Sequence, residues 1–165
     1  MTTTVKKIVL GLLAGIALLF IYTLLLQNKI AAATLRVGTG EAYTTIQSAI
    51  DAAANGDTIE LVDANYIENN IIVNKDLIIE GQHQAFTTVE AHPTIPSTSV
   101  GRVFEVNAAN VIFRDFTIQH GRTDSLSNGG GAILSMGGLT LLNMTINDNY
   151  DESPLGGGAI KNSGT

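Results

Sequence analysis

The sequence predicts an all-β fold, a right-handed parallel β-helix in which short strands wind into a solenoid of stacked coils. Two observations predict it. A glycine triplet followed by Ala-Ile occurs at positions 129–133 and again at positions 156–160. The stretches VIFRDFTIQ (111–119) and LTLLNMTIN (139–147) match each other in residue type, position by position. Two motifs that recur at nearly the same spacing indicate one structural unit stacked on copies of itself.

Residues 1–33 are predicted to be an export segment, which has to be set aside before the fold is considered. Two lysines precede an uncharged apolar run from Ile8 to Leu26. This run is about as long as a helix that crosses a bilayer. The small residues that end at Ala33 fit a signal-peptidase site after Ala33. A cleaved signal peptide and a retained membrane anchor are both open, and in either case the lysines keep the N-terminus in the cytoplasm and place the remaining chain outside.

The exported part, residues 34–165, is acidic and lacks cysteine. The chain has 9 Lys plus Arg and 15 Asp plus Glu, and three of the lysines belong to the export segment, so the exported part has 6 against 15 and a net charge of −9. Such a charge argues against nucleic acid as a partner. Without cysteine, disulfides cannot stabilise the exported fold, and thiolate catalysis and zinc–thiolate sites are excluded.

Residues 34–56 are predicted to form an N-terminal strand and a capping helix. One helical face is formed by four apolar residues, Ile46, Ala49, Ile50 and Ala53. Thr44, followed by Gln47 at the third position after it, matches the capping-box pattern at a helix N-terminus. Asn55-Gly56 marks the predicted C-terminus of this helix.

Residues 57–165 are predicted to form the coils. They contain short β-branched stretches separated by Gly, Asn and Asp, namely DTIEL, NIIVN, DLIIEG, TTVEA, RVFEVN, NVIFRD and FTIQ. Within each repeat the alternating positions of the apolar residues shift by one. The strand therefore has to bend at Asp115 and Asn143 so that the apolar residues on both sides of the bend face one interior. Gly131 and Gly158 precede the next strand, at a corner where a Cβ would crowd the turn. One unit therefore has three short strands and three corners.

At these residues the sequence resembles the pectin-lyase-like superfamily of right-handed parallel β-helices. The stretch YTTIQSAIDAAANGDTIEL is similar to the opening helix of that family, and NVIFRDFTI and LTLLNMTI are similar to its coil repeat. The GGGAI corners are similar to glycine-rich repeats of bacterial surface adhesins and polymorphic outer-membrane proteins. The resemblance runs from about Leu35 to the end and implies the fold. It does not select an activity, because lyases, hydrolases, esterases and adhesins share this fold.

The coils are few for a solenoid, in which each coil is covered only by its neighbours. The last coil ends at Thr165, where the repeat would require another LTL stretch. An uncapped terminal coil exposes its core and its strand edges. We therefore expect the sequence to be C-terminally incomplete and the natural protein to continue.

The long connections follow the strands TTVEA, FTIQ and MTIN, so we expect them to leave the same corner of successive coils. They are HPTIPSTSVG (92–101), HGRTDSLSNGG (120–130) and DNYDESPLGG (148–157), and together they are called the loop row. Loops carried by a rigid scaffold are where binding residues usually lie. The candidate binding residues of the loop row are Arg122, Asp124, Asp148, Tyr150, Asp151 and Glu152.

Two functions compete for the loop row. The first is a structural or adhesive surface protein that binds an extracellular polysaccharide or a surface protein without turnover. The alternative is a polysaccharide lyase, in which carboxylates bind Ca²⁺, the ion neutralises a uronate, and a basic residue such as Arg122 removes the adjacent proton. Calcium takes six to eight oxygen ligands, and the candidates are Asp148, Asp151 and Glu152. No stretch matches a lyase motif, so whether the protein is an enzyme stays open; if it is one, the resemblance implies a polysaccharide lyase or a glycoside hydrolase of this fold. An inert spacer is a third possibility.

Other residues are interpreted structurally. The histidines are expected to be exposed polar turn residues: His83, His92 and His120. Asp115 and Asn143 are expected to hydrogen-bond the backbone at the bends. The triplet Asn143-Met144-Thr145 fits a glycosylation sequon but falls at a bend. The glycine triplets are corners rather than phosphate-binding loops, because they do not open a helix.

Overall fold

A computed structural model describes residues 15–16, 18–19, 31–94, 100–154 and 156–164 of the chain. Most of the predicted export segment, including the greater part of the apolar run from Ile8 to Leu26, lies outside the described residues. Among the residues that are described, no helix is long and apolar enough to cross a membrane. The part of the chain from Ala32 to Thr165 is one compact unit.

This unit is mostly β-structure. It begins with strand β1 (Thr34–Val37) and helix α1 (Ile46–Ala52). The strands that follow are β2 (Thr58–Leu61), β3 (Asn65–Ile67), β4 (Ile71–Val73), β5 (Ile78–Glu80), β6 (Thr88–Glu90), β7 (Phe104–Val106), β8 (Val111–Arg114), β9 (Thr117–Gln119), β10 (Arg122–Thr123), β11 (Ile133–Ser135), β12 (Leu139–Leu142), β13 (Thr145–Asn147), β14 (Tyr150–Asp151) and β15 (Ile160–Asn162). All pairings between these strands are parallel.

Three parallel sheets contain most of the strands. Sheet A has the order β1-β2-β5-β8-β12, sheet B the order β3-β6-β9-β13, and sheet C the order β4-β7-β11-β15. From β2 onward the chain passes through sheets A, B and C in turn four times, and it returns to sheet A after each of the first three passages. Each such passage is a coil. The all-parallel β-architecture confirms the coarse prediction and is compatible with a β-helix.

The strand register reproduces the repeat read from the sequence. In sheet A, Leu139 pairs with Val111, and in sheet B, Ile146 pairs with Ile118, as the alignment of the two stretches requires. In sheet C, Ile133 pairs with Ile160, the equivalent residue of the second glycine motif. One repeat of the sequence therefore corresponds to one complete passage through the three sheets.

The bend between sheets A and B is made by one residue in each of the last two coils. Asp115 has φ 64° and Asn143 has φ 50°, the left-handed region that Asp and Asn tolerate better than other non-glycine residues. The bend was predicted, but within the described residues neither Asp115 nor Asn143 makes the expected side-chain hydrogen bond to the backbone. The Asn143 amide instead donates to the Asp115 carboxylate at 3.1 Å, which ties one coil to the next.

The core lies between the three sheets and consists of inward-facing side chains stacked in register. In sheet A, Ile59, Ile79 and Phe113 occupy successive layers, and all three are completely buried. Phe113 also packs against two other buried rings, those of Phe104 and Phe116, with ring centroids 4.7 and 5.7 Å away. Each layer thus covers the apolar face of its neighbour, which no single coil could bury alone.

Helix α1 is shorter than predicted and starts at a different cap. Its N-cap is Thr45, whose side chain accepts from the Ser48 N–H at 3.2 Å, so the predicted capping box at Thr44 is wrong. Gln47 cannot complete such a box because its amide is bound to Asp51 and to the backbone of Ile72. The predicted apolar face is confirmed, since Ile46, Ala49, Ile50 and Ala53 are all buried.

Two charged side chains of the first coil hold the ends of α1. The Glu68 carboxylate accepts the N–H groups of Ile46 and Gln47 at 2.8 and 2.9 Å. At the other end, the Lys75 ammonium donates to the carbonyls of Ile50, Asp51 and Ala53 at 2.8–2.9 Å. An anion at the N-terminus and a cation at the C-terminus satisfy free backbone groups and complement the helix dipole.

The proposed cleavage position is part of this unit. Ala33 donates its N–H to Asp57 at 2.8 Å and accepts from the Thr58 N–H at 2.8 Å, immediately before β1 begins. Cleavage after Ala33 would remove both hydrogen bonds. Whether the chain is cleaved there stays a prediction.

The phenylalanine cluster provides a test of the core. We expect Phe113→Ala to lower the free energy of unfolding by about 3–5 kcal/mol, because the substitution removes buried apolar surface and leaves a cavity. Urea denaturation followed by circular dichroism measures the change. Met136→Ala is the control, since Met136 is half exposed and its loss should change stability by less than about 0.5 kcal/mol. Equal effects of the two substitutions would contradict the packing described.

Candidate functional site

The loop row starts from three neighbouring strands. The long connections leave β6, β9 and β13, which lie side by side in sheet B, and each leads into sheet C. The first connection includes residues 95–99, which are outside the described part of the chain. Because the sheets fix where each connection begins and ends, the three loops emerge from the same corner of successive coils.

The three connections are also joined to one another through their backbones. Strands β10 and β14 pair in parallel, with Arg122 opposite Tyr150 and Thr123 opposite Asp151. On the other side, Gly101 exchanges two hydrogen bonds with Arg122, at 2.8 and 2.9 Å. Short parts of the three connections therefore form a small sheet of their own, which the sequence did not predict.

Arg122 lies at the centre of this small sheet and contacts two other candidate residues. Its guanidinium is 2.6 Å from the Glu152 carboxylate, and its Cζ atom is 5.3 Å from the centroid of the Tyr150 ring. Tyr150 is 55% exposed, so one part of the ring is open to a ligand while another is covered by the cation. Arginine stacked on an aromatic ring is a recurring feature of recognition surfaces.

The other carboxylates of the loop row are engaged in local hydrogen bonds. Asp151 accepts from the Thr123 hydroxyl at 2.6 Å and from the Ser153 N–H at 2.8 Å. Asp148 accepts from the Asn147 amide at 2.7 Å. Within the described ranges, no three His, Asp or Glu side chains are grouped so that they could hold a metal ion. Calcium binding by Asp148, Asp151 and Glu152 stays a prediction that would need further ligands.

Asp124 orders the exposed tip of the second connection. Its carboxylate accepts from the Ser127 hydroxyl at 2.7 Å and from the Leu126 N–H at 3.1 Å. The Ser127 hydrogen bond is the main reason why the pKa of Asp124 lies below its ordinary value. The resulting turn presents Leu126, which is 92% exposed. Asp124 thus acts on the shape of the loop and does not contact Arg122, Tyr150 or Glu152 through any of these bonds.

The three histidines have different surroundings. His83 is exposed, as predicted, and its ring lies 5.4 Å from that of Phe86. His120 is not an exposed turn residue, because only 13% of its side chain is accessible. Its Nδ1 lies 2.9 Å from the His92 carbonyl and 3.0 Å from the Glu90 carboxylate. His92 is half buried, and within the described residues no hydrogen bond reaches its buried Nε2.

Glu90 forms a buried polar cluster beside the loop row that sequence reasoning missed. It is only 6% exposed although it faces outward from β6. Its carboxylate accepts from the amides of Asn65 and Gln119, at 2.8 and 2.9 Å, in addition to the contact with His120. These partners belong to the coils on either side, so the TTVEA stretch by itself carries no sign of them.

Arg102 supports the glycine corner from the neighbouring coil. Its side chain donates to the carbonyls of Gly129 and Gly130 at 2.7 and 2.9 Å. These two glycines have φ values of 83° and 70°, which other residues rarely adopt, and the chain continues into β11 rather than into a helix. Burial lowers the pKa of Arg102 below its ordinary value. The triplets are therefore corners, as predicted, and a charged side chain binds two carbonyls of the first triplet.

Comparison with known proteins gives no match to this chain. No protein-family model, no curated protein and no solved structure matches the chain. The resemblance to the pectin-lyase-like superfamily therefore rests on the sequence motifs alone.

The turn at Asp124 makes a testable prediction about its titration. We expect Ser127→Ala to raise the pKa of Asp124 toward its ordinary value, because the main hydrogen bond to the ionised form is lost. A pKa that is depressed in the folded state adds stability above the ordinary carboxyl pKa, and this stability is lost as the pH falls below about 4. Carbon-13 NMR titration of the Asp124 carboxyl measures the pKa. Ser125→Ala is the control, and an equal pKa in both variants would refute the assignment.

Proposed function

We propose that this is an exported protein of the cell surface or the extracellular medium, built on a right-handed parallel β-helix of the pectin-lyase-like type. In this proposal the loop row binds an extracellular polysaccharide or a surface protein without turnover. Two lysines followed by the apolar run from Ile8 to Leu26 support export. Membrane attachment, if the segment is retained, would be through this run only.

The observation that carries the binding proposal is the arrangement of Arg122, Tyr150 and Glu152. One aromatic face, one cation and one carboxylate are held within contact distance on a surface that is open to solvent. Tyrosine and arginine contribute disproportionately to binding surfaces, because each offers a large contact area together with directional hydrogen bonds. Sugar hydroxyls and peptide groups can both be recognised by such a set.

The backbone pairing of the loops supports the same proposal. Gly101, Arg122 and Tyr150 belong to three different connections, yet they are hydrogen-bonded side by side. Loops that are ordered before binding lose less conformational entropy when a ligand arrives. Neighbouring loops that are paired through their backbones suit repeated contact with an extended ligand such as a polysaccharide chain.

The polysaccharide lyase, with Ca²⁺ bound by Asp148, Asp151 and Glu152, is the alternative. It needs the carboxylates to face one ion and Arg122 to act on a substrate proton. Asp151 is instead bonded to Thr123, and Arg122 is engaged by Glu152 and Tyr150. These contacts favour binding over proton abstraction. Lyase activity is therefore the result that would contradict the binding proposal in the experiment described next.

Substitution of the two central side chains tests the proposal. We expect Arg122→Ala and Tyr150→Ala each to weaken binding to the recognised polysaccharide by about tenfold or more, the size expected for a central interface residue. Binding is measured by co-sedimentation of the full-length chain with insoluble acidic and neutral polysaccharides. Matched controls are Arg36→Ala and Phe86→Ala, because both side chains are exposed and neither belongs to the loop row.

The same samples separate binding from catalysis. Each polysaccharide is incubated with calcium and with a chelator, and unsaturated product is followed by ultraviolet absorbance. Calcium-dependent product would overturn the binding proposal in favour of the lyase. Binding that is unchanged in Arg122→Ala and Tyr150→Ala would show that the loop row is not the binding surface.

A further inference from the structure

A second concave site lies between the connection from β1 to α1 and strand β3. It is a cleft of about 330 Å³, at the lower end of the range of small-molecule pockets, which is about 300–1,000 Å³. The side chains that matter for its chemistry are Thr39, Thr44, Thr45, Asp63, Asn65 and Ile67. None of the lining residues belongs to the loop row, so this cleft is a different site from the one proposed above.

The outer wall of the cleft is fixed by Asp63. This carboxylate accepts from the N–H and from the hydroxyl of Thr39, at 2.8 and 2.9 Å. The same connection closes on itself where the Gly38 N–H donates to the Tyr43 carbonyl at 2.9 Å. A wall held by three hydrogen bonds is formed before a ligand arrives, which reduces the entropic cost of binding.

The floor of the cleft is fixed by Tyr66. The Tyr66 hydroxyl accepts from the Asp63 N–H at 2.7 Å and donates to the Val37 carbonyl at 2.7 Å. Burial is the main reason why the pKa of Tyr66 lies above its ordinary value. This hydroxyl uses its only donor on the protein backbone, so it supports the cleft, and the side chains around the opening are the ones that can donate to a ligand.

The opening offers hydroxyl, amide and carboxylate groups together with one apolar side chain. Thr44 is exposed, and none of the described residues hydrogen-bonds its hydroxyl. Ile67 is 58% exposed at the edge of the cleft. Among the described residues that line the cleft, none is Lys, Arg or His, whereas Asp63 and Glu68 are acidic. The local potential is therefore negative and repels anionic ligands.

We infer that this cleft binds a hydroxyl-rich ligand without negative charge, namely a neutral or amino-sugar unit. Ligand hydroxyls can hydrogen-bond to Thr44 and to the carboxylate of Asp63, and the C–H face of a sugar ring can lie on Ile67. An amino sugar gains a charge-assisted hydrogen bond to a carboxylate. A uronate is rejected, because its carboxylate would face Asp63 and Glu68, and none of the described residues that line the cleft is a cation that could pair with it.

Three monosaccharides that differ at one group each test the ligand class. Saturation-transfer NMR of the full-length chain with glucose, glucosamine and glucuronate should show binding of the first two, with dissociation constants on the order of millimolar, and none of the third. Binding should shift the amide signals of Thr44, Asn65 and Ile67. Preference for glucuronate, or no transfer to either of the other two sugars, would overturn the inference.

Two variants locate the binding. Thr44→Val should weaken sugar binding by about three- to tenfold, the loss of one neutral hydrogen bond, while the fold is retained because the hydroxyl has no structural partner among the described residues. Thr140→Val is the matched control, since Thr140 is also exposed on the surface but lies on β12, outside the cleft. Equal affinities of the two variants would overturn the inference.

The cleft and the loop row are expected to bind their ligands independently of each other. Arg122→Ala should leave monosaccharide binding in the cleft unchanged, and Thr44→Val should leave polysaccharide binding by the loop row unchanged. Loss of monosaccharide binding in Arg122→Ala would place the sugar in the loop row and overturn the cleft assignment.

Discussion

The parallel backbone hydrogen bonds between successive coils are the constraint on which the rest of the structure depends. Each strand in sheets A, B and C must match the strand one layer away, residue for residue, as Leu139 matches Val111 and Ile133 matches Ile160. Strand lengths and inward positions are therefore fixed. Insertions are accepted only at corners, and the corner between sheets B and C carries the longest ones. The three longest connections therefore share one side of the stack for a mechanical reason.

The ends of the helix and the corners leave backbone N–H and C=O groups without partners in the sheets. Half-buried charged side chains bind several of these groups. Glu68 and Lys75 bind the two ends of α1, and Arg102 binds the carbonyls of the glycine corner. An unpaired buried backbone group costs about 1–3 kcal/mol, so each of these contacts matters more than an exposed ion pair would. Without disulfides, these cross-coil contacts join the irregular segments to the regular stack.

Regular features were predictable where the chain follows its period. The bends at Asp115 and Asn143, the glycine corners and the apolar face of α1 could all be read from spacing. Strand β3 was missed because NYI is short and has a single inward side chain, Tyr66. The cap of α1 was misplaced by one position, since Thr44 and Thr45 are adjacent and only the backbone path decides which one accepts from the helix.

The candidate site, like the fold, was predictable only in part. The composition of the loop row gave six candidate residues, and the structure brings three of them into contact: Arg122, Tyr150 and Glu152. The offset of the apolar repeat, continued into the loops, also places Arg122 opposite Tyr150. This offset is harder to recognise in the loops than in the strands, because the polar residues of successive loops are not of the same type. His120 and Glu90 gave no signal, since burial of a polar pair depends on what covers it.

The sequence by itself determined the period, the inward-facing residues of the repeat, the acidic character and the chemical content of the loop row. These follow from local pattern, because a strand alternates and a corner needs glycine, Asn or Asp. Only the tertiary structure decided that Arg102 meets the glycine corner, that Glu90 meets His120, and that Thr39 and Asp63 enclose a cleft with Asn65. Most of these partners belong to different coils and sit on loops of unequal length, whose paths no repeat specifies.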